Sequence, residues 1–324
     1  MRGAIAGATV FLFCATLWAL PPTAANEVRQ DLNLGRADAA LRILDPALAH
    51  NPDDAEGHNL RCRVYYEEEQ WDAAIADCEA AVQFAPDNSD DHLWLGRAYG
   101  RKASHGSLVA GYKLARKVHA EFEEAVRLDP HNGAALADLG EFDVEAPVVV
   151  GGGIKGADPI LVQLRSVDPV RASRLQAQIA DEKRDYVSAE AAYKAAIAQS
   201  REPADLWLDL ARFYQRRGRI DEMQSALHTA VPLDRAHGPA LVEAAGLLNQ
   251  TGREPETAIA WLRDYLKSNA KSEEEPAFVV RAQLAKLLAM QGQQQAAQEE
   301  LAAAHALASG YRVPAAAAAA TAGE

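Results

Sequence analysis

A chain of 324 residues with 33 Lys and Arg against 46 Asp and Glu carries a formal net charge of -13. A chain so charged repels DNA, RNA and anionic lipid overall, which excludes a nucleic-acid binder that works by neutralising phosphates. Its apolar fraction of 49% allows an extensive core, but the division into about two domains that this length suggests does not apply to a repeat array, which grows in one direction.

Residues 1–25 read as a signal peptide. Arg2 supplies a positive start, Ala4 to Leu20 is apolar, and Pro21-Pro22 interrupts the helix ahead of Thr23-Ala24-Ala25, so cleavage is expected after Ala25. The alternative is an uncleaved N-terminal membrane anchor, since about 17 apolar residues lie at the lower edge of what spans a bilayer. Cys14 follows Phe13 inside the apolar stretch and is not placed as a lipid-attachment site. Cleavage would remove one arginine and no acid, leaving a mature charge of -14 and a periplasmic or secreted protein.

From residue 26 to 310 the chain keeps a rhythm. Asn51-Pro52, Ala85-Pro86-Asp87, Asp129-Pro130 and Asp168-Pro169 each close an apolar-periodic stretch, the first two prolines standing 34 residues apart. The second unit shows Tyr65, Ala74, Ala81 and Pro86, and the third Leu95, Gly96, Tyr99, Phe122, Ala125 and Pro130. The sixth has Trp207, Leu210, Ala211, Tyr214, Gly218, Leu227 and Ala230, and the last has Leu284, Ala285, Leu288, Gly292, Ala297, Leu301 and Ala304. This pattern resembles the tetratricopeptide-repeat family, whose positions 4, 7, 8, 11, 15, 24 and 27 the sixth unit fills in order. The resemblance implies an all-α fold, a right-handed α-solenoid of about eight helical hairpins. No hairpin buries its apolar face alone, so the units stack into a curved rod with polar outer faces at its ends and a concave groove lined by the first helices.

Two intervals are too long. Pro86 to Pro130 spans 44 residues, with the excess near 100–117, and Pro130 to Pro169 spans 39, with the excess near 146–156. Both fall at turns within a unit, so both insertions are expected on one rim of the solenoid. The first holds Arg101, Lys102, Lys113, Arg116 and Lys117 with no acid between Gly100 and Ala120, a basic surface suited to an acidic peptide segment or a peripheral membrane contact. The second matches G-x-G-x-x-G at Gly151, Gly153 and Gly156 after Val148-Val149-Val150. A dinucleotide or ligand site is one reading, but both flanks are repeat helices in phase, which favours a glycine-rich inserted turn. The fifth unit runs about two residues short, and the seventh is expected to lengthen its inner turn at Thr251–Pro255. Residues 311–324, with six successive alanines after Pro314, read as a disordered low-complexity tail.

Within the resemblance, positions 2, 5, 9, 12 and 13 of the first helix line the groove, which places Asn59 and Arg63, Arg97 and Arg101, and Arg212 and Arg216 inward. Arg63 and Arg97 should be neighbours. The arrangement resembles in part a carboxylate clamp, although no Lys occupies the inner position and Leu93 stands where a polar residue would help. The competing account is that these arginines pair with nearby acids. Cys62 and Cys78 fall on facing helices of one hairpin, where a disulfide is open, but position 8 faces position 20 more directly than 24, which favours buried free thiols. Nothing in the histidine and cysteine spacing suggests a metal site, a cofactor or a catalytic residue. The expectation is a non-enzymatic scaffold or assembly adaptor of a bacterial cell envelope, binding a protein or an acidic peptide segment, with its oligomeric state left open.

Overall fold

The computed structural model describes residues 20–314; most of the expected signal peptide, residues 1–19, and most of the expected tail, residues 315–324 with the alanine run, lie outside the described residues. Sixteen α-helices form eight consecutive hairpins. The first four are α1 (Pro22–Asn33) with α2 (Ala37–His50), α3 (Ala55–Glu67) with α4 (Trp71–Phe84), α5 (Ser89–Ser104) with α6 (Leu108–Leu128), and α7 (Gly133–Glu145) with α8 (Ile154–Val167). The second four are α9 (Pro169–Glu182) with α10 (Tyr186–Gln199), α11 (Ala204–Arg216) with α12 (Ile220–Leu233), α13 (Pro239–Thr251) with α14 (Pro255–Lys267), and α15 (Ala277–Met290) with α16 (Gln294–His305). There is no strand among the described residues, and none of their helices is long and apolar enough to cross a membrane.

The Asx-Pro rhythm of the sequence marks helix starts. Asp54 accepts the Gly57 N–H at 3.1 Å, Asn132 the Ala135 N–H at 3.0 Å, and Asp168 the Arg171 N–H at 3.0 Å with Pro169 as the first helical residue. Inside a hairpin three residues reverse the chain, and the middle one is left-handed: Gly35, Gly218 and Gly292, but also Glu69 (φ 59°) and Arg184 (φ 60°). Small residues sit where helices touch. A Cβ on Gly96 would meet the Phe122 ring at 2.5 Å, and one on Gly140 would meet Leu175 at 2.5 Å.

The insertions take two forms. The first lengthens α5 and α6 to 16 and 21 residues, a two-helix projection closed by a short turn at His105–Ser107. The second is a 3₁₀ turn, Val148–Val150, followed by glycines at φ 107° and 126°. They meet on one side of the array, where the Arg116 guanidinium donates to the Val149 carbonyl at 3.1 and 3.3 Å. The amides of Gly151, Gly153 and Gly156 already donate to Val148, Asp143 and Gly153 carbonyls, so the glycine segment is an internally bonded turn and not a strand-to-helix phosphate cradle.

Three expectations change, and the expected cleavage point gains a structural setting. The inner turn of the seventh unit is also three residues long, although there Gly252 (φ 65°) and Glu254 (φ 44°) are the left-handed ones, and the unit's extra length lies in residues 268–276, between α14 and α15. Residues 311–314, expected to belong to the tail, pack on the fold: Tyr311 is buried with its ring tilted 59° against Phe278 at 5.0 Å, and is followed by a partly buried Val313. Helix α1 starts at Pro22 with Ala25 buried, so the expected cut after Ala25 falls one turn inside it. Cys62 and Cys78 form a disulfide, their Cα atoms 5.3 Å apart.

The rod is also not open-ended. Val28, Leu32 and Leu44 of the first hairpin share one buried cluster with Phe278, Ala282, Ala304 and Tyr311 of the last. The Asp38 amide donates to the Leu307 carbonyl at 3.0 Å, the Asp38 carboxylate accepts from the Ser309 amide and hydroxyl at 3.0 and 2.9 Å, and Gly35 lies against the backbone of Ala277. The two ends therefore cover each other with apolar surface where polar caps were expected, and the eight hairpins close around a lumen.

Candidate functional site

The inner surface is built from the first helix of each hairpin, and loop 268–276 reaches into it. One stretch, about 740 Å³, is lined by seven acidic side chains and two arginines, together with Tyr66, Trp71, Trp94, Phe122 and Phe142. A second, about 520 Å³, shares Glu141 and Glu145 with it and continues along Arg174, Asp181, Asp209 and Arg216. Volumes of this order accommodate ligand-sized groups.

Of the arginines expected in the groove, Arg97 and Arg101 line the larger stretch, Arg212 and Arg216 line the second, and Arg63 lines neither; most of them already hold an acid. Arg63 grips Glu273 of loop 268–276 with both Nε, at 2.6 Å, and Nη2. Arg97 donates to Asp138 at 2.6 Å, Arg212 to Asp209 at 3.1 Å and to Glu243, and Arg216 to Asp181 at 2.8 Å. Asn59 is buried and donates to Asp91 at 2.7 Å. Arg63 and Arg97 are neighbours as expected: their guanidiniums lie 5.0 and 4.9 Å from the Trp94 ring, and Arg101 lies 5.2 Å from Trp71. Tyr66 meets both tryptophans edge-on, at 5.5 and 5.7 Å. A ladder of rings and guanidiniums thus runs along the wall of the second and third hairpins. The competing account of the arginines holds, because the fold supplies an internal carboxylate at each of these ion pairs.

The acids in excess of those pairs set the electrostatics. Burial holds Glu67 well above the usual carboxylate range, and the nearby Glu273 charge pushes the same way. Glu141 and Glu145 are raised by their protein-walled position and then by acidic neighbours, Glu145 and Asp138 for the first, Glu182 for the second. Glu275 is pushed up to about 8 by burial and by Glu243 and Glu274. Burial is the common leading cause, and like charges crowding one surface add to it. Among the described residues no three His, Cys, Asp or Glu side chains converge as metal ligands.

The residues missed from the sequence stood at positions the repeat already marked. In the fourth hairpin Glu141 and Glu145 occupy the places that Arg97 and Arg101 hold in the third, and Glu67 holds Arg101's place in the second. Reading those inward positions in every unit, and not only where arginine stood, would have shown the acidic wall. Glu273 and Glu274 had no such signal, since they lie between units.

The basic insertion stands on the outer rim. Lys102 pairs with Asp72, Lys117 donates to the Tyr99 hydroxyl at 2.9 Å and lies 4.4 Å from its ring, and Lys113 is exposed. Exposed Tyr112, Val148 and Val149 stand beside them.

A family model described as the middle TPR-like domain of cilia and flagella-associated protein 70 matches residues 174–308. The chain aligns on the crystal structure of yeast Tom70 with a TM-score of 0.54 at 14% identity, covering 92% of this chain and 64% of that one. Its fold is that of tetratricopeptide-repeat structures. Another fold-level neighbour is a tetratricopeptide repeat protein of Parabacteroides merdae, with a TM-score of 0.50 at 13% identity, covering 80% of this chain and 99% of the other. In sequence, 111 residues are 28% identical to the mouse superkiller complex protein 3, which is 34% of this chain but only 7% of that protein. The chain therefore spans a small fraction of that relative's length.

Proposed function

We propose that this protein is a non-catalytic scaffold that holds a segment of a partner protein along its lumen, working outside the cytoplasm in a bacterial cell envelope. The observation that carries this reading is the lumen itself, a continuous surface of rings and charges presented by rigid first helices. Tetratricopeptide repeats serve broadly as protein- and peptide-binding surfaces, and the superkiller relative is by its name a member of a complex. Export is supported by the apolar start with its small-residue cleavage site and by the Cys62–Cys78 disulfide, a bond that persists in oxidising compartments.

The charge bears on the kind of partner. An acidic segment entering the lumen would have to displace Glu273, Asp138 or Asp181 from the arginines that hold them. The place for an acidic segment or an anionic bilayer is the outer rim around Lys113, Arg116 and Lys117, a secondary contact.

The test is photo-crosslinking in the cells that make the protein, with p-benzoylphenylalanine replacing Tyr66 in the lumen or the exposed Tyr186 elsewhere. One partner should be recovered from the periplasmic fraction with the Tyr66 probe and not the Tyr186 probe. Crosslinks from Tyr186 alone, or only from the cytoplasmic fraction, would refute the lumen or the envelope part of the reading respectively.

A further inference from the structure

The inward face carries more acid than its arginines neutralise, and one of those acids is unpaired in an informative way. Glu67 is 6% exposed and lines the larger stretch of the lumen, yet neither carboxylate oxygen has a hydrogen-bond partner. A buried carboxylate with no donor is costly and calls for an explanation, and a cation or donor from outside the chain is one. Its surroundings repeat the message. Glu141, Glu145 and Glu274 line the same stretch as exposed acids, while Asp138 and Glu273 there are the two already spent on Arg97 and Arg63. The donor set does not converge as a metal site needs. Trp94 and Trp71 in the same wall already hold three of the chain's own guanidiniums at 4.9 to 5.2 Å, so the surface is shaped for planar or ammonium cations beside rings.

We propose that the lumen between Glu67, Glu141, Glu145 and Glu274 is a receptor site for arginine or lysine side chains of a basic partner segment. The inference rests on the lumen being the partner surface, and it names the chemistry of what enters. A bound guanidinium or ammonium supplies the donors Glu67 lacks, and its neighbours neutralise the exposed acids. Charge-assisted bonds of this kind strengthen as the lumen loses water. Such a segment leaves the internal Arg63–Glu273 and Arg97–Asp138 pairs in place.

The probes are fluorescein-labelled nona-arginine, a nonamer alternating Ser and Gln, and nona-glutamate, titrated onto the full mature protein at physiological salt, where charges beyond a Debye length are screened. Nona-arginine should bind at least tenfold more tightly than the neutral peptide and quench tryptophan fluorescence, while nona-glutamate should not quench it. The triple variant Glu141→Gln, Glu145→Gln and Glu274→Gln should lose at least tenfold in nona-arginine affinity. Neutralising three exposed acids outside the lumen, Glu123→Gln, Glu202→Gln and Glu256→Gln, makes the same change in net charge and should leave the affinity within about twofold. Glu67→Gln should weaken binding while the free protein becomes no less stable to urea, a split that a purely structural glutamate would not give. Equal loss in the two triple variants would show nonspecific attraction and overturn the proposal. Equal affinity for basic and neutral peptides, with quenching by both, would also overturn it, yet would leave the lumen standing as a partner surface. Absence of quenching by every peptide would overturn it as well, and the Tyr66 crosslink would then decide separately whether the lumen binds a partner at all.

Discussion

Glu68 lies at the place where the ends of the array meet. It is buried against Gly310, receives the Gln70 amide at 2.7 Å, and leaves its Oε1 without a partner. Burial, and then the Asp38 charge, push its carboxyl up to about 7, and Glu275 stands at about 8. A carboxyl that holds its proton more tightly folded than unfolded stabilises the fold fully below its unfolded value of about 4.3 and loses that contribution as pH rises through the folded value. His58 and His92, raised by hydrogen bonds to Asp77 and Glu121, have the same sign, their contribution fading as pH climbs past the usual imidazole range. Stability in urea should therefore fall between pH 5 and pH 8.5, and Glu68→Gln should make that fall shallower while keeping the histidine part. A profile that is level, or that Glu68→Gln leaves unchanged, would show that Glu68 is not held protonated at the seam. Nothing in the sequence separates Glu68 from the exposed Glu69 beside it, because what buries it lies more than two hundred residues away.

At the level of the hairpin, much was legible. Eight units, their phase, the two insertions and their shared side followed from the recurrence of small residues at one period, because close helix contact admits no side chain larger than Gly96 or Gly140 carries. Loop 268–276 was not legible, since the period constrains what lies inside a unit and not the link between units; its extra residues were misplaced into the preceding turn. The turn itself offers a local test. Arg184 is exposed and sits at φ 60°, where its equivalents in other hairpins are glycines such as Gly218. The left-handed conformation costs a side-chain-bearing residue about 1 kcal/mol, so Arg184→Gly should raise the denaturant midpoint by roughly that much. Gly218→Ala is the converse: a Cβ there meets nothing within 4 Å, so its loss should be the backbone cost alone, again about 1 kcal/mol. A stability loss in Arg184→Gly would mean the arginine contributes through contacts that outweigh its strain.

For the molecule as a whole, closure changes what the array can do. In an open solenoid each end unit lacks a neighbour and must be capped with polar residues, and stability is a sum over nearest neighbours that allows ends to fray. Here the first and last hairpins supply each other's missing neighbour, so fraying at either end must break an apolar interface. Arg63–Glu273 then couples the second hairpin to the loop before the last and carries Glu274 into the lumen. Phe278 and Ala282 differ in sequence from no other apolar residue of a repeat helix, and only their partners in the first hairpin distinguish a seam from a stack. Gly35 is where this can be tested. It adopts φ 62°, and a Cβ on it would lie 2.2 Å from the Ala277 amide nitrogen, a backbone atom that cannot turn aside. Gly252 has nearly the same backbone, φ 65°, with nothing within 4 Å of its Cβ position. Both Gly→Ala variants carry the same local strain, and only Gly35→Ala also wedges the seam. Small-angle scattering should give a larger radius of gyration for Gly35→Ala than for Gly252→Ala, and the freed apolar ends should make Gly35→Ala self-associate as its concentration rises. Indistinguishable scattering from the two variants would mean that the ends are held apart in solution and that the lumen is an open groove.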